Sequence, residues 1–221
     1  MISATSLGVR EFELLLRVQA ICRSILNRSP RFACFGLHEW AIVYRCPDIR
    51  HAYPLRMTAD EIAGFLDGTR ICCSHFDAFR FFSPAGRKLN VIQPEADSRL
   101  EFEHGGCLHA NMDLYKWAFK LSPLISSDLL LRCFMLAIEA REIDMRASPY
   151  DFTELGFMPI PVETETGRQE YVEHQVQLAE RARLLRAELL ADVDRILAAI
   201  GEIRCRSART GTAEISTSGN T

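Results

Sequence analysis

The stretch EHGGCLHANMDLYKW, residues 103–117, organises the interpretation of the whole chain. Two glycines, Gly105 and Gly106, precede an apolar pattern that predicts a helix over residues 107–121. Because a buried polar group without a partner costs free energy, polar side chains in such a helix must find partners within the fold. The stretch therefore predicts a central helix with a polar site at its beginning. Four polar residues stand in its first turns: His109, Asn111, Asp113 and Lys116.

Longer helices are predicted on both sides of this stretch. Residues 9–27 repeat apolar side chains near the helical period, and residues 126–145 form an apolar segment that follows Pro123. Residues 167–203 contain strong helix formers and heptad-like leucines. One long helix is therefore expected near the C-terminal end.

Shorter elements are predicted between these helices. Thr58 and Glu61 have the spacing of a capping box, which predicts a short helix that ends at Gly68. Residues 70–82 are rich in aromatic and β-branched side chains, which favour a strand. Residues 86–106 are polar and are expected to be mostly loop.

These patterns predict the fold class and the domain organisation. We expect an α+β protein that is predominantly helical, with a few short strands and a long C-terminal helix. Residues 1–206 are long enough to form a single globular domain with its own core. Residues 207–221 are small and polar, so a disordered tail is expected there.

The composition and the sequence patterns limit the partners and the cellular compartment that can be expected for the protein. The formal net charge is -3, which argues against a strong global attraction to nucleic acid or to an anionic membrane. No apolar run has the length of a membrane span, and the start of the chain does not have the pattern of a signal peptide. The 8 cysteines include no C-x-x-C pair, and most stand in apolar runs, so free thiols in a reducing compartment are predicted. A cytoplasmic protein without a membrane partner is therefore expected.

Three short segments place a histidine beside a carboxylate, and they are the leading candidates for a reaction site. On a helix, His109 and Asp113 share one face because they are four residues apart. Imidazole and carboxylate together suit zinc, iron or manganese, and without metal the same pair suits general acid–base chemistry. We predict one divalent metal in a pocket where at least two of the histidines meet. The candidate ligands are His38, Glu39, His75 and His109, and the candidate catalytic residues are His109, Asp113 and Asp77.

Two further groups of residues are candidates for supporting roles. Glu139 and Glu142 lie on one stripe of a helix and could supply catalytic carboxylates, with Arg146 binding substrate or pairing with them. The alternative is a charged helix end that faces water. Arginines interleaved with aromatic residues could clamp a planar substrate, although core aromatics beside arginine stems are an equally ordinary arrangement. The predicted substrate-binding residues are Trp40, Tyr44, Arg45, Arg80, Asn111, Tyr115, Lys116, Trp117 and Arg146.

The sequence allows other chemistries as alternatives. Cys107 stands just before a predicted helix, where a thiol pKa can be lowered, so a cysteine nucleophile is one alternative. The spacing of His75 and Asp77 also resembles the first two ligands of an iron(II) facial triad. A G-x-S-x-G serine elbow does not occur in the sequence.

Four long motifs are similar to a bacterial, mainly actinobacterial, family whose members are often labelled 3-methyladenine DNA glycosylase. The resemblance extends over residues 31–190, and members of that family begin with an additional N-terminal segment that this sequence does not contain. The motifs are GLHEWAIVYR, SHFDAFRFFSPAGRKLN, GCLHANMDLYKWAFKLSPL and EAREIDMRASPYD.

The family label implies excision of alkylated bases from DNA. The damaged base would be flipped into an aromatic pocket, where a carboxylate assists cleavage of the glycosidic bond. By this resemblance Asp113 or Asp77 would be the carboxylate, and DNA would be a partner. The stacking candidates would be Trp117, Tyr115 and Trp40.

Three functional hypotheses follow from the sequence. The leading one is an enzyme with a His/Asp/Glu-lined pocket that acts on a small planar or polar substrate, with a divalent metal as the expected cofactor. The second is the DNA N-glycosylase that the resemblance implies. The third is a non-catalytic partner-binding protein that forms a homodimer through its C-terminal helix.

Overall fold

The computed structural model describes residues 8–49 and 51–214, and helices dominate this part of the chain. The prediction of a predominantly helical protein with a long C-terminal helix is confirmed. The α-helices of the described residues are α1 (Val9–Leu26), α2 (His38–Val43), α3 (Ala59–Asp67), α4 (Phe76–Phe79), α5 (Pro84–Leu89), α6 (Arg99–Phe102), α7 (Leu108–Lys120), α8 (Ser127–Ala147) and α9 (Glu165–Glu214).

Four long helices form the core. Helix α7 packs against α8, and α9 packs against α1, α7 and α8. The buried side chains of α8 recur every three or four residues, which places them on one face toward these neighbours. They are Leu129, Cys133, Leu136, Ala140, Ile143 and Ala147.

Capping residues stand at the starts of helices where the sequence predicts them. The Ser126 hydroxyl accepts a hydrogen bond from the Leu129 N–H and caps α8. Thr58 and Glu61 form both hydrogen bonds of a capping box at the start of α3. Before α7, a Cβ atom on Gly106 would clash with the main chain of Arg31. Only glycine therefore allows this close approach, which holds the first turn of α7 against the segment that leads to α2.

The region between α3 and α7 is more helical than the sequence predicts. Residues 70–82 contain α4, and the polar stretch 86–106 contains the end of α5 and all of α6. Ile71 forms only an isolated parallel bridge with Asn90, and Leu55 forms an isolated antiparallel bridge with Tyr150. In the described residues these two bridges replace the predicted short strands, so the α+β label is not confirmed.

Helix α9 is the longest element. It begins at Glu165, after Thr164 accepts a hydrogen bond from the Gly167 N–H, and it continues past Ser207 into the segment predicted to be disordered. Residues 215–221 of that segment lie outside the described residues. A search of the described helices for a stretch long and apolar enough to cross a membrane finds none.

Candidate metal centre

The start of α2, the first turn of α7 and the end of α8 meet at one point. His38 is the first residue of α2, and the chain reaches it through Gly36, whose positive φ of 67° is a conformation that glycine adopts easily. His109 lies on α7, and Asp144 lies on the buried face of α8. Their potential ligand atoms all lie within 4.8 Å of one another. With Glu39, we call these residues the open cluster.

His38 is in contact with each of the other three residues of the open cluster. His38 Nε2 lies 3.2 Å from Asp144 Oδ1 and 3.7 Å from Glu39 Oε1. The rings of His38 and His109 meet edge to face, with their centroids 4.3 Å apart. Arg141 donates to Asp144 Oδ2 at 2.8 Å, which leaves Asp144 Oδ1 facing His38.

Several buried polar atoms of the open cluster have no hydrogen bond among the described residues, although His38 Nε2 and Asp144 Oδ1 lie within ion-pair distance of each other. They are His38 Nε2, Glu39 Oε2 and Asp144 Oδ1. Buried polar groups are normally hydrogen-bonded, so three such atoms in one place require an explanation. Glu39 and Asp144 also line a cavity of about 90 Å³, whose other walls include Tyr53, Tyr150 and Phe152. The unpartnered atoms therefore cluster beside a space that a small molecule can enter.

Burial and neighbouring charges shift the pKa values of the two histidines of the open cluster in opposite directions. Burial opposes a charge on His38, but Asp144 and Glu39 outweigh it and raise the pKa of His38 to about 10. Burial, together with His38 and His75, lowers the pKa of His109 to about 3. The pKa of Asp144 is lowered despite its burial because His38 stabilises the carboxylate. At neutral pH the cluster thus contains one cationic and one neutral imidazole.

His75 belongs to a second cluster on the other side of His109. Its ring centroid lies 5.5 Å from that of His109. His75 Nε2 lies 3.3 Å from Asp113 Oδ2 and 3.4 Å from Glu103 Oε1. We call His75, Glu103, Asp113 and their cationic partners Arg99 and Lys116 the paired cluster.

Two cations compensate the carboxylates of the paired cluster. Arg99 lies 2.9 Å from Glu103 Oε1 and 3.1 Å from Asp113 Oδ2, and it also donates to Asp77. Lys116 donates to Asp113 and lies 3.6 Å from Asp77 Oδ2. Burial alone would raise the pKa of Asp113, but His75 and Lys116 hold it well below its usual value. Burial dominates at Glu103, whose pKa is raised.

The structure separates the predicted residues into these two clusters. His38, Glu39 and His109 lie in the open cluster, whereas His75 and Asp113 lie in the paired cluster. His75 and Asp77 do not converge on one ligand position, because Asp77 turns to Arg99 and His75 turns to Asp113. The predicted histidines are thus neighbours in space. His38 keeps Glu39 as a partner and adds Asp144, whereas His75 pairs with Asp113 rather than with Asp77.

Glu139, Glu142 and Arg146 do not reach either cluster. The Glu139 side chain is 45% exposed and accepts from Arg181 at 2.6 Å. Glu142 lies 3.9 Å from Arg146, which also donates to the Met158 carbonyl oxygen at 2.8 Å. The stripe that these residues share is real, but it faces α9 and solvent rather than the site.

Most of the predicted substrate-binding residues have structural partners elsewhere. Trp40 is fully buried and donates to the Ala147 carbonyl oxygen at 2.8 Å. Tyr44 and Arg45 both bind Asp67. The exposed Arg80 stacks on Phe81, with 4.4 Å from its guanidinium carbon to the ring centroid.

The predicted substrate-binding residues on α7 also have structural partners, with Lys116 as the exception. Asn111 is buried and donates to the Gly105 carbonyl oxygen at 2.9 Å, which shapes the loop before the helix. Tyr115 packs on Phe134, with ring centroids 5.0 Å apart. Trp117 is buried, and the Lys116 ammonium lies 4.7 Å from its ring centroid. Lys116 is thus the predicted binding residue that joins a cluster.

Sequence reasoning missed Asp144, Glu103 and Arg99. Asp144 stands in a charged run, but it also lies four residues after Ala140 and three before Ala147, both on the buried stripe of α8. This helical spacing, which places Asp144 on the buried stripe, is the sequence signal that could have identified it. Glu103 and Arg99 belong to a segment that its polar composition assigned to loop, so their i,i+4 relation on one helical turn was not apparent.

The cysteine alternative is not supported by the environment of Cys107. Its thiol is buried, and burial together with the neighbouring Cys34 raises its pKa well above the usual value. The desolvation outweighs any benefit from the start of α7, so the thiolate is disfavoured.

Comparisons with family models, curated proteins and solved structures found no match to this chain. The resemblance to the glycosylase family therefore stays a prediction from the motifs alone. The same holds for the predicted homodimer and for the cytoplasmic location.

Proposed function

We propose that the protein is a metal-dependent enzyme in which His38, His109 and Asp144 hold one divalent cation beside a small substrate cavity. The observation that carries this proposal is the meeting of three potential ligand atoms within 4.8 Å, beside a cavity that Asp144 and Glu39 line. Two imidazoles and one carboxylate leave coordination positions for water and substrate, as in catalytic metal sites. This set of donors suits zinc, iron or manganese.

The spacing of the ligand atoms supports the proposal. Two atoms that are each about 2.1 Å from one ion at a tetrahedral angle lie about 3.4 Å apart. The 3.2 Å between His38 Nε2 and Asp144 Oδ1 is close to this distance. The remaining pairs are at most 4.8 Å apart, so binding would draw them together by no more than about 1.4 Å. His38 would lose its proton on binding, because a ligating imidazole must be neutral.

Arg141 and Glu39 have separate roles in this proposal. Arg141 holds Asp144 Oδ2, so it orients the other carboxylate oxygen toward the cation and acts as a positioning residue. A bound divalent cation would supply Lewis acidity that lowers the pKa of a coordinated water. Glu39 lines the same cavity with an unpartnered Oε2, and it is placed to accept a proton from that water. His51 Nε2 lies 4.0 Å from Glu39 Oε2 and could pass the proton to solvent.

The shape of the cavity favours a small planar substrate. Its volume of about 90 Å³ corresponds to about three waters, so only part of a molecule fits inside. Tyr53, Tyr150 and Phe152 give it an aromatic wall on which a flat group could stack. We therefore propose hydrolysis of a small planar polar substrate, with Glu39 as general base.

Metal analysis tests the proposal directly. Protein purified without chelator or His-tag is measured by elemental analysis, and the metal-free protein is then titrated with Zn²⁺ and Mn²⁺ by calorimetry. We expect about one equivalent in the wild type and a loss of affinity of at least about 100-fold in His109→Ala and Asp144→Asn. His174→Ala is the matched control, because His174 lies on α9 away from both clusters, 3.9 Å from Glu170.

Two results would overturn the proposal. One is a wild-type protein that binds neither ion, and the other is binding that survives both ligand substitutions. If metal binds as expected, Glu39→Gln separates the base from the ligands. It should retain the metal and lose turnover of small aromatic esters and amides, by about 100-fold or more for a general base.

A further inference from the structure

A second cavity lies between the end of α1 and the first half of α9, and none of its lining residues belongs to the open cluster. Its volume is about 290 Å³. Most of its wall is apolar, so it would exclude charged groups unless a partner for them is built in. The apolar residues are Ile25, Leu26, Pro30, Phe32, Val176 and Ala179.

Arg186 supplies a charge to this apolar cavity. Its side chain is 1% exposed, and it lines the cavity from α9. Its NH2 donates to the Ala110 carbonyl oxygen at 3.0 Å and to Asn111 Oδ1 at 2.8 Å. Within the described residues, its Nε and NH1 make no hydrogen bond and no carboxylate forms an ion pair with it. A buried guanidinium remains charged, so this cation has no carboxylate in contact, and the Glu103 charge acts on it only from a distance.

The charges around the cavity reinforce this imbalance. Arg28 and Arg183 also line it, against Glu180 as the acidic lining residue. Arg28 donates to the main-chain carbonyls of Glu103 and Leu100, so its charge is likewise not neutralised by those contacts. An apolar wall beside a buried, unpaired arginine is complementary to a molecule with an apolar body and one anionic end.

We propose that this cavity binds an unbranched aliphatic carboxylate, with the carboxylate on Arg186 and the chain along the apolar wall. The volume corresponds to about ten waters, which fits a chain of about ten carbons. The guanidinium offers Nε and NH1, and carboxylates accept from two guanidinium nitrogens at once. This site does not depend on the proposed metal chemistry, because it shares no residue with the metal ligands.

Binding of decanoate to the full chain tests the proposal. Calorimetric titration with sodium decanoate, below the concentration at which it forms micelles, is compared with decan-1-ol and with decyltrimethylammonium. We expect decanoate to bind at one site and the other two probes to bind at least tenfold more weakly. Equal binding of decanoate and decan-1-ol would show that the charge of Arg186 does not select the ligand, and the proposal would be overturned.

Two variants locate the site, and a third is the control. Arg186→Gln removes the charge and should weaken decanoate binding at least tenfold while leaving decan-1-ol unchanged. Ala179→Phe fills the cavity without altering Arg186, so it decides the matter if Arg186→Gln does not fold. Glu180→Gln, on the cavity rim, should bind decanoate as well as the wild type or better. Unchanged decanoate binding in Ala179→Phe would place the ligand elsewhere and overturn the proposal.

Discussion

The two clusters on either side of His109 are built from the same kinds of side chain but are balanced differently. In the paired cluster, Arg99 and Lys116 bind the carboxylates that surround His75. In the open cluster, Arg141 contacts Asp144 through one oxygen only. Three atoms of the open cluster lack hydrogen-bond partners, against His75 Nδ1 and Glu103 Oε2 in the paired cluster, and the open cluster adjoins a cavity.

This difference separates a structural ion network from a candidate reaction site. Charges that protein cations compensate hold elements together and have less capacity left for a ligand. Charges that face each other without hydrogen bonds retain that capacity. The comparison therefore assigns stability to the paired cluster and metal binding to the open cluster, and each assignment can be tested separately.

The largest effect on stability is expected from Arg99→Ala in the paired cluster. It would leave Glu103, which is 1% exposed, without its guanidinium partner and would unbalance Asp113 as well. Removing one partner of a buried ion pair costs about 3 kcal/mol or more, so the free energy of unfolding should fall by about that amount. Urea unfolding at neutral pH measures it. Arg80→Ala, an exposed arginine 3.6 Å from Asp77, should cost less than about 0.5 kcal/mol.

Substitutions in the open cluster should change metal affinity. His109→Ala should lower zinc affinity by at least about 100-fold, which is about 2.7 kcal/mol of binding free energy. His75→Ala, one ring away from His109, should leave zinc affinity within a few-fold of the wild type. Calorimetry on both variants makes the comparison. Equal losses in the two variants would mean that the two clusters act as one site.

Sequence patterns predict the long helices because the signals for them are local. Capping residues and apolar periodicity mark α3 and α8 within a few positions. The short helices α4, α5 and α6 could not be predicted in the same way. Four to six residues carry too little periodicity, and packing of side chains such as Phe79 and Phe82 decides their conformation.

The candidate site was predictable only in part, for a related reason. The sequence places His109 and Asp113 on one face of α7, and the structure agrees that both face neighbouring clusters. The sequence does not show which histidine each carboxylate contacts. Asp113 binds His75 rather than His109, because pairings across elements depend on how α7 packs rather than on its sequence.

His104 extends the comparison to a buried histidine that serves as a hydrogen-bond acceptor. Its Nδ1 accepts from the Gly106 N–H at 3.2 Å, and burial with Arg31 and Arg28 lowers its pKa to about 4. Between pH 4 and the ordinary value of 6.5 the unfolded chain binds more protons, so stability is lost as the pH falls through this window. The gap between the two pKa values corresponds to about 3 kcal/mol of stability, which is present above pH 6.5 and lost in full below pH 4.

His104→Asn keeps an acceptor near the Nδ1 position and removes the titration. We expect the loss of unfolding free energy between pH 7 and pH 5 to be smaller in this variant than in the wild type. Urea unfolding at several pH values measures the difference, with His174→Asn as a control on the partly exposed α9 surface. If both proteins lose stability equally over this range, His104 does not contribute to the acid sensitivity.

The smallest effects are expected where the sequence predicted catalytic carboxylates outside both clusters. Glu139 and Glu142 have side chains that are 45% and 47% exposed, and each pairs with an arginine in solvent. Such pairs contribute less than about 1 kcal/mol, so Glu139→Gln and Glu142→Gln should unfold like the wild type and bind zinc equally well. Glu39→Gln is the informative contrast, because the Glu39 side chain is only 13% exposed and lies beside His38. If Glu139→Gln or Glu142→Gln abolished turnover while Glu39→Gln did not, the reaction site would lie on the α9 side of α8.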